Sequence, residues 1–77
     1  MPTTKVKLTK VPQRVALANF PAYVQSHHNM FLFAFSGTQP IDLTAYHMDR
    51  QIYTDGSLGN LWAWLAHEDE MYVAVST

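Results

Sequence analysis

The sequence predicts an all-β domain, a small antiparallel β-sandwich or jelly-roll-like fold of six to seven short strands. Three observations predict it. Short apolar runs recur about every 8 to 12 residues and are separated by Pro, Gly and Asp-Gly turn signals. Inside several runs apolar and polar residues alternate, which places one set of side chains on each face of a strand. The chain has 77 residues, enough for one domain with one small core.

The elements follow in order. "TKVKLTKV" sets Val6 and Leu8 against Lys5, Lys7 and Thr9 and stops at Pro12. A polar arm of about residues 1–4, opening Met1-Pro2, precedes it in a single domain spanning 1–77. "RVALANF" puts Val15 and Leu17 inward and ends at Pro21, which belongs on a sheet edge or at a bulge because it cannot donate to a ladder. "AYVQS" resumes, with Val24 inward, and "HHN" makes a polar turn.

"MFLFAFSG" is the most apolar stretch, with Phe31, Phe33 and Phe35 on one side and Met30, Leu32 and Ala34 on the other. Both faces are apolar, and one small core covers only one of them. "TAYHMDRQIY" reads as a strand with Tyr46, Met48 and Ile52 on one face, Met48 and Ile52 expected in the core, and Arg50 out of pattern. "TDGSLGN" is a strong turn signal. "LWAWLA" fits a strand, although Leu61, Trp64, Leu65 and Glu68 also share a helical face with Asn60 as a cap. Its shortness and its strand-like neighbours favour the strand. "HEDE" turns the chain into a closing strand, "MYVAVS", with Val73 and Val75 inward.

Composition narrows the function classes. A chain of this size buries only about 60% of its unfolded surface, so disulfides, metals or oligomerisation are the usual supports. The sequence has no cysteine, which excludes disulfides and cysteine-based zinc sites and leaves oligomerisation open. Charged residues make up 14%, against about 25% in ordinary soluble domains, which suits a protein that lies against neighbours. The net charge of −1 gives no basic footprint for nucleic acid. No run reaches the roughly 18 apolar residues of a membrane helix. "MPTTKVKLTK" lacks the apolar segment of a signal peptide, so the expectation is synthesis in a cytoplasm.

No catalytic constellation is visible, and the expectation is a protein that is not an enzyme and takes no cofactor or metal. His27 and His28 are adjacent and so point to opposite sides of a strand, while His47 and His67 stand apart. The carboxylates of "HEDE" suit a solvated turn better than acid–base work or calcium binding. Asp55-Gly56-Ser57 resembles the first half of a calcium loop without its later acidic ligands. Ser36, Ser57 and Ser76 lack a nucleophile-elbow context.

The chain has ten aromatic residues. Trp62 and Trp64 share one strand face, where they serve as core, as interface anchors or as a ligand platform. The candidate interface residues are therefore Met30, Phe31, Leu32 and Phe33, from the two-sided apolar strand, together with Trp62 and Trp64.

The layout "PAYVQSHHNMFLFAFSGTQP", then "AYHM", then "IYTDGSLGNLWAWLA", then "MYVAVST" resembles small virion structural proteins of tailed bacteriophages, most closely capsid decoration (cement) proteins. The resemblance runs from about Ala22 to Ser76 and rests on layout and phrase. It implies a β-sandwich on the capsid exterior, made in the host bacterial cytoplasm and often trimeric. Its partner would be the major capsid protein, whose subunits it would staple together. Lys5 and Lys7 would then join the interface by meeting an acidic capsid surface, while their plain role is to guard an edge strand. A rival is a tail or fibre module that binds host glycans through Trp62, Trp64 and Tyr53. A small inhibitor of a host protein is a second rival, and a net charge of −1 argues against the acidic nucleic-acid-mimic type.

Overall fold

A computed structural model describes residues 3–42, 44–67 and 69–77. The first two residues of the expected arm and Glu68 of the helical alternative lie outside the described residues. The described residues form eight strands and no helix. They are β1 (Thr3–Leu8), β2 (Gln13–Ala16), β3 (Ala22–Ser26), β4 (Phe31–Phe35), β5 (His47–Asp49), β6 (Gln51–Thr54), β7 (Leu61–Trp64) and β8 (Met71–Ser76). The strands make two four-stranded sheets in the orders β1-β8-β3-β6 and β2-β7-β4-β5, antiparallel throughout.

Both sheets contribute to one apolar cluster, so the core lies between them. Leu8, Val24, Val73 and Val75 come from the first sheet, and Val15, Phe31, Phe33, Leu61 and Ala63 from the second. The alternation seen in the sequence produces this directly. Along β8, Met71, Val73 and Val75 are buried while Tyr72 is exposed. Cross-strand register then stacks branched residues: Val6 opposite Val73, and Val75 opposite Val24, which faces Ile52 in turn. Such pairs are the unit of sheet stabilisation, at about 0.2–1 kcal/mol each.

In β4 the phenylalanines face inward as a ladder, with ring centroids 5.9 Å apart for Phe31–Phe33 and 6.2 Å for Phe33–Phe35. These separations lie within the favourable range for aromatic pairs, about 4.5–7 Å. The buried polar side chains are satisfied. The Ser26 hydroxyl donates to Met71 Sδ and accepts from the His28 amide, and the Thr54 hydroxyl accepts from the Gly56 amide.

Four expectations need correction. The strands number eight, because "TAYHMDRQIY" is not one strand. It breaks at Arg50, and its halves join different sheets. A strand that switches sheets through a bend makes a corner of the sandwich. The Asp49 carboxylate accepts hydrogen bonds from the amides of Arg50 and Gln51 and fixes that bend.

Met48 and Leu17, expected in the core, are 56% and 49% exposed. Met48 pairs with Leu32, which points away from the inter-sheet cluster, so Met48 points away too. At Leu17 the cause is a register irregularity between Arg14 and Ala16, which turns both Val15 and Ala16 inward and ends the strand one residue early. Pro21 stands just before β3, a central strand, instead of on an edge. Thr3 and Thr4, expected in the polar arm, belong to β1 and pair with Ser76 and Val75.

Candidate interaction surface

The outer face of the second sheet is apolar, and the chain covers most of it. Leu32 lies opposite Trp64 on one side and Met48 on the other, and Ala34 lies opposite Trp62. Leu32 and Trp64 are only 6% and 2% exposed, yet neither belongs to the inter-sheet cluster. The segment after β4 lies over the Trp62 part of this face. Ser36 donates its amide to the Asn60 carbonyl at one end of β7 and accepts from the Trp62 indole N–H at 3.0 Å. Three residues later Gln39 donates to the Pro12 carbonyl at 2.9 Å, beside the start of β2. Because β2 and β4 flank β7, the segment crosses the outer face of β7 obliquely. The second apolar face of "MFLFAFSG" is therefore buried within the chain at Leu32 and left exposed at Met30.

The candidate interface residues separate accordingly. Phe31 and Phe33 are in the core, and Leu32 and Trp64 lie under their own chain. None of these four reaches the surface of the folded protein. Trp62 is half-buried, and Met30, Lys5 and Lys7 are exposed.

The outer face of the first sheet is polar and aromatic. Tyr23, Tyr53 and Tyr72 stand on it with Gln25, Gln51, Lys5 and Lys7. Tyr23 lies opposite Tyr53 and donates its hydroxyl to Gln51 Oε1 at 2.9 Å. The Lys5 ammonium sits 4.9 Å from the Tyr72 ring centroid, a cation–π contact. Tyr53 and the two tryptophans thus lie on opposite outer faces and do not form the single platform that glycan binding would need. The alternation around Val24 and Val73 held the signal for Tyr23 and Tyr72, since each tyrosine neighbours an inward residue.

A third surface lies where the β2–β3 and β6–β7 loops interlock. The Asn19 amide donates to the Gly56 carbonyl, and the Ala18 amide to Asn60 Oδ1. Asn19 and Gly56 both hold positive φ, 68° and 91°. These locked loops carry Leu17, Phe20 and Leu58, each about half exposed or more. Beside them a groove of about 600 Å³ is lined by residues 14–17 with Phe20, Pro21 and Thr77.

The remaining polar groups serve structure. Lys7 pairs with Glu70 at 3.4 Å and Lys10 with Asp69 at 3.9 Å, both at the surface. The Asp42 and Asp55 carboxyls are held below their ordinary value by hydrogen bonds from Thr44 and Ser57, side-chain contacts first. Among the described residues no three His, Asp or Glu side chains converge on a possible metal position, and no helix is long and apolar enough to cross a membrane. A scan of protein-family models and searches of curated proteins and of solved structures found no match to the chain.

Proposed function

We propose that the chain is a non-enzymatic structural protein of a phage virion, a capsid decoration protein built as a jelly-roll sandwich. It would sit on the capsid exterior, bridge major capsid subunits and associate with itself, with the trimer as the favoured state. One observation carries this reading: large apolar side chains remain exposed on a chain that is only 14% charged. Phe20, Leu58, Met30 and Met48 are each more than half exposed, and Ile41 is 96% exposed. Exposed apolar side chains mark contact with a partner where they form one contiguous patch.

The strand orders β1-β8-β3-β6 and β2-β7-β4-β5 support the jelly-roll reading, since eight strands in two Greek keys make that fold. The fold serves many functions, so it supports the architecture and leaves the role to the surface. Bridging needs only modest contacts per copy, because many copies on a symmetric lattice engage together. Mass spectrometry and an electron-microscopy reconstruction of purified particles test the proposal. A regular exterior site at high copy number is the expected result, and no copies in the particle would reject it.

Tyr23, Tyr53 and Tyr72 favour a second reading, a tail or fibre module that stacks host glycans on the outer face of the first sheet. Glycan-array binding that is lost in Tyr53→Ala and kept in Trp64→Phe would select it over capsid reinforcement.

A further inference from the structure

The groove along β2 has the features of a strand-docking site. The groove follows β2, an edge strand of its sheet, from Arg14 to Ala16 and on to Leu17. That edge is open among the described residues: β2 pairs with β7 on one side and with no strand on the other. Residues 15–17, Phe20 and Pro21 make the groove apolar, and Arg14 stands on its lining. Arg14 makes no ion pair with any described carboxylate.

Arg14 is the charged side chain on the groove's lining, and the other basic residues lie off it. Four of the five basic residues, Lys5, Lys7, Lys10 and Arg14, lie on β1, on β2 or in the turn between them. Among the described residues Lys7 and Lys10 have acidic partners and Lys5 and Arg14 have none, and Lys5 stands over the Tyr72 ring instead. A standard protein interface takes about 800 Å² from each partner. That is near a sixth of this molecule's 4894 Å² surface and more than seven lining residues offer. The groove therefore suits a narrow occupant better than a second folded copy.

We infer that the groove receives an extended, acidic-apolar segment of a partner protein, which lies along the β2 edge, seats apolar side chains against Leu17, Phe20 and Pro21, and pairs a carboxylate with Arg14. Addition of a strand to an open edge is a common mode of peptide recognition, in which the backbone supplies affinity and alternate side chains supply specificity. The locked loops assist, because Phe20 is held by the Asn19–Gly56 contact before any partner arrives, which reduces the ordering cost of binding. The inference does not depend on the virion reading, since the partner is defined by its chemistry alone.

The test uses the full chain, labelled for NMR, and three capped octapeptides that alternate Val with Glu, Gln or Lys. The Glu peptide should shift the amides of residues 14–17 and Phe20 selectively and bind at least tenfold tighter than the Lys peptide. Arg14→Glu should invert that order, and Phe20→Ser should weaken all three peptides while the spectrum stays that of a folded protein. The inference is overturned if no peptide shifts these amides, or if Arg14→Glu leaves the charge preference unchanged. It is overturned equally if the same amides shift with protein concentration alone, which would make a second copy the occupant.

Discussion

The three glycines form a graded test of how the sandwich is closed at its loop end. A Cβ on Gly56 would collide with the Phe20 amide nitrogen and lie 2.7 Å from two backbone atoms of Asn19. These are backbone atoms held by the Asn19–Gly56 hydrogen bond, so no flexible side chain can yield. The position also has φ of +91°. A side chain in left-handed backbone costs about 1–2 kcal/mol, and an extra carbon forced into packed structure about 1–3 kcal/mol. Gly56→Ala should therefore destabilise by about 3 kcal/mol, which lowers the melting temperature by about 12–24 °C in a domain of this size.

Gly59 shares the positive φ, at +100°, but a Cβ there meets nothing nearer than 3.9 Å. Gly59→Ala should carry only the backbone term, about 1–2 kcal/mol. A Cβ on Gly37 meets nothing within 4 Å, and its φ is not positive. Gly37→Ala should be neutral, or stabilising by up to about 1 kcal/mol through the unfolded chain. Thermal melts followed by circular dichroism measure all three. A Gly56→Ala protein that melts within about 3 °C of the wild type, less than about 1 kcal/mol, would refute the loop interlock.

Two further outcomes are expected. Phe31→Ala should cost about 3–5 kcal/mol in urea denaturation, enough to unfold most of so small a domain, whereas Met30→Ser, at a position 53% exposed, should stay within about 0.5 kcal/mol. Equal losses in the two variants would contradict the inward placement of the phenylalanine ladder. Asp42 and Asp55 have folded pKa values below the ordinary 3.8, so their contribution to stability is present above that pH and is lost as pH falls through the lowered values. The acid side of the stability profile should flatten in Asp42→Asn with Asp55→Asn, read by thermal melts from pH 5 down to about pH 2; an unchanged slope would remove these two groups from the acid transition.

Much of the fold was legible because alternation and turn chemistry act locally. Leu8, Val24, Val73 and Val75 follow from period-two patterning alone, and "LWAWLA" is a strand as its length suggested. The misses come from contacts that span the chain. Arg50 broke the pattern of "TAYHMDRQIY", and that break was the trace of a sheet-switching corner. Nothing near Leu17 reveals the register irregularity that ends β2 early. The surface was harder to read than the core. No local pattern shows that Ser36 meets the Trp62 indole or that Gln39 reaches Pro12. The tyrosine face and the β2 groove come into view only when strands distant in sequence lie side by side.

The strand orders also dictate when each sheet can be completed. The central strands of the two sheets include β8, which separates β1 from β3, and β7, which separates β2 from β4. Both are synthesised last. While a ribosome is still making residue 60, β1 and β2 have no partner in either sheet, and only the β3–β6 and β4–β5 pairs can form. Closing the first sheet then joins Thr3 to Ser76 across nearly the whole chain. Pairing between such distant segments is slow, and unpaired strand edges are prone to aggregate during the delay. Lys5 and Lys7 put charge on that waiting strand, and charge on an unpaired strand disfavours pairing with another chain.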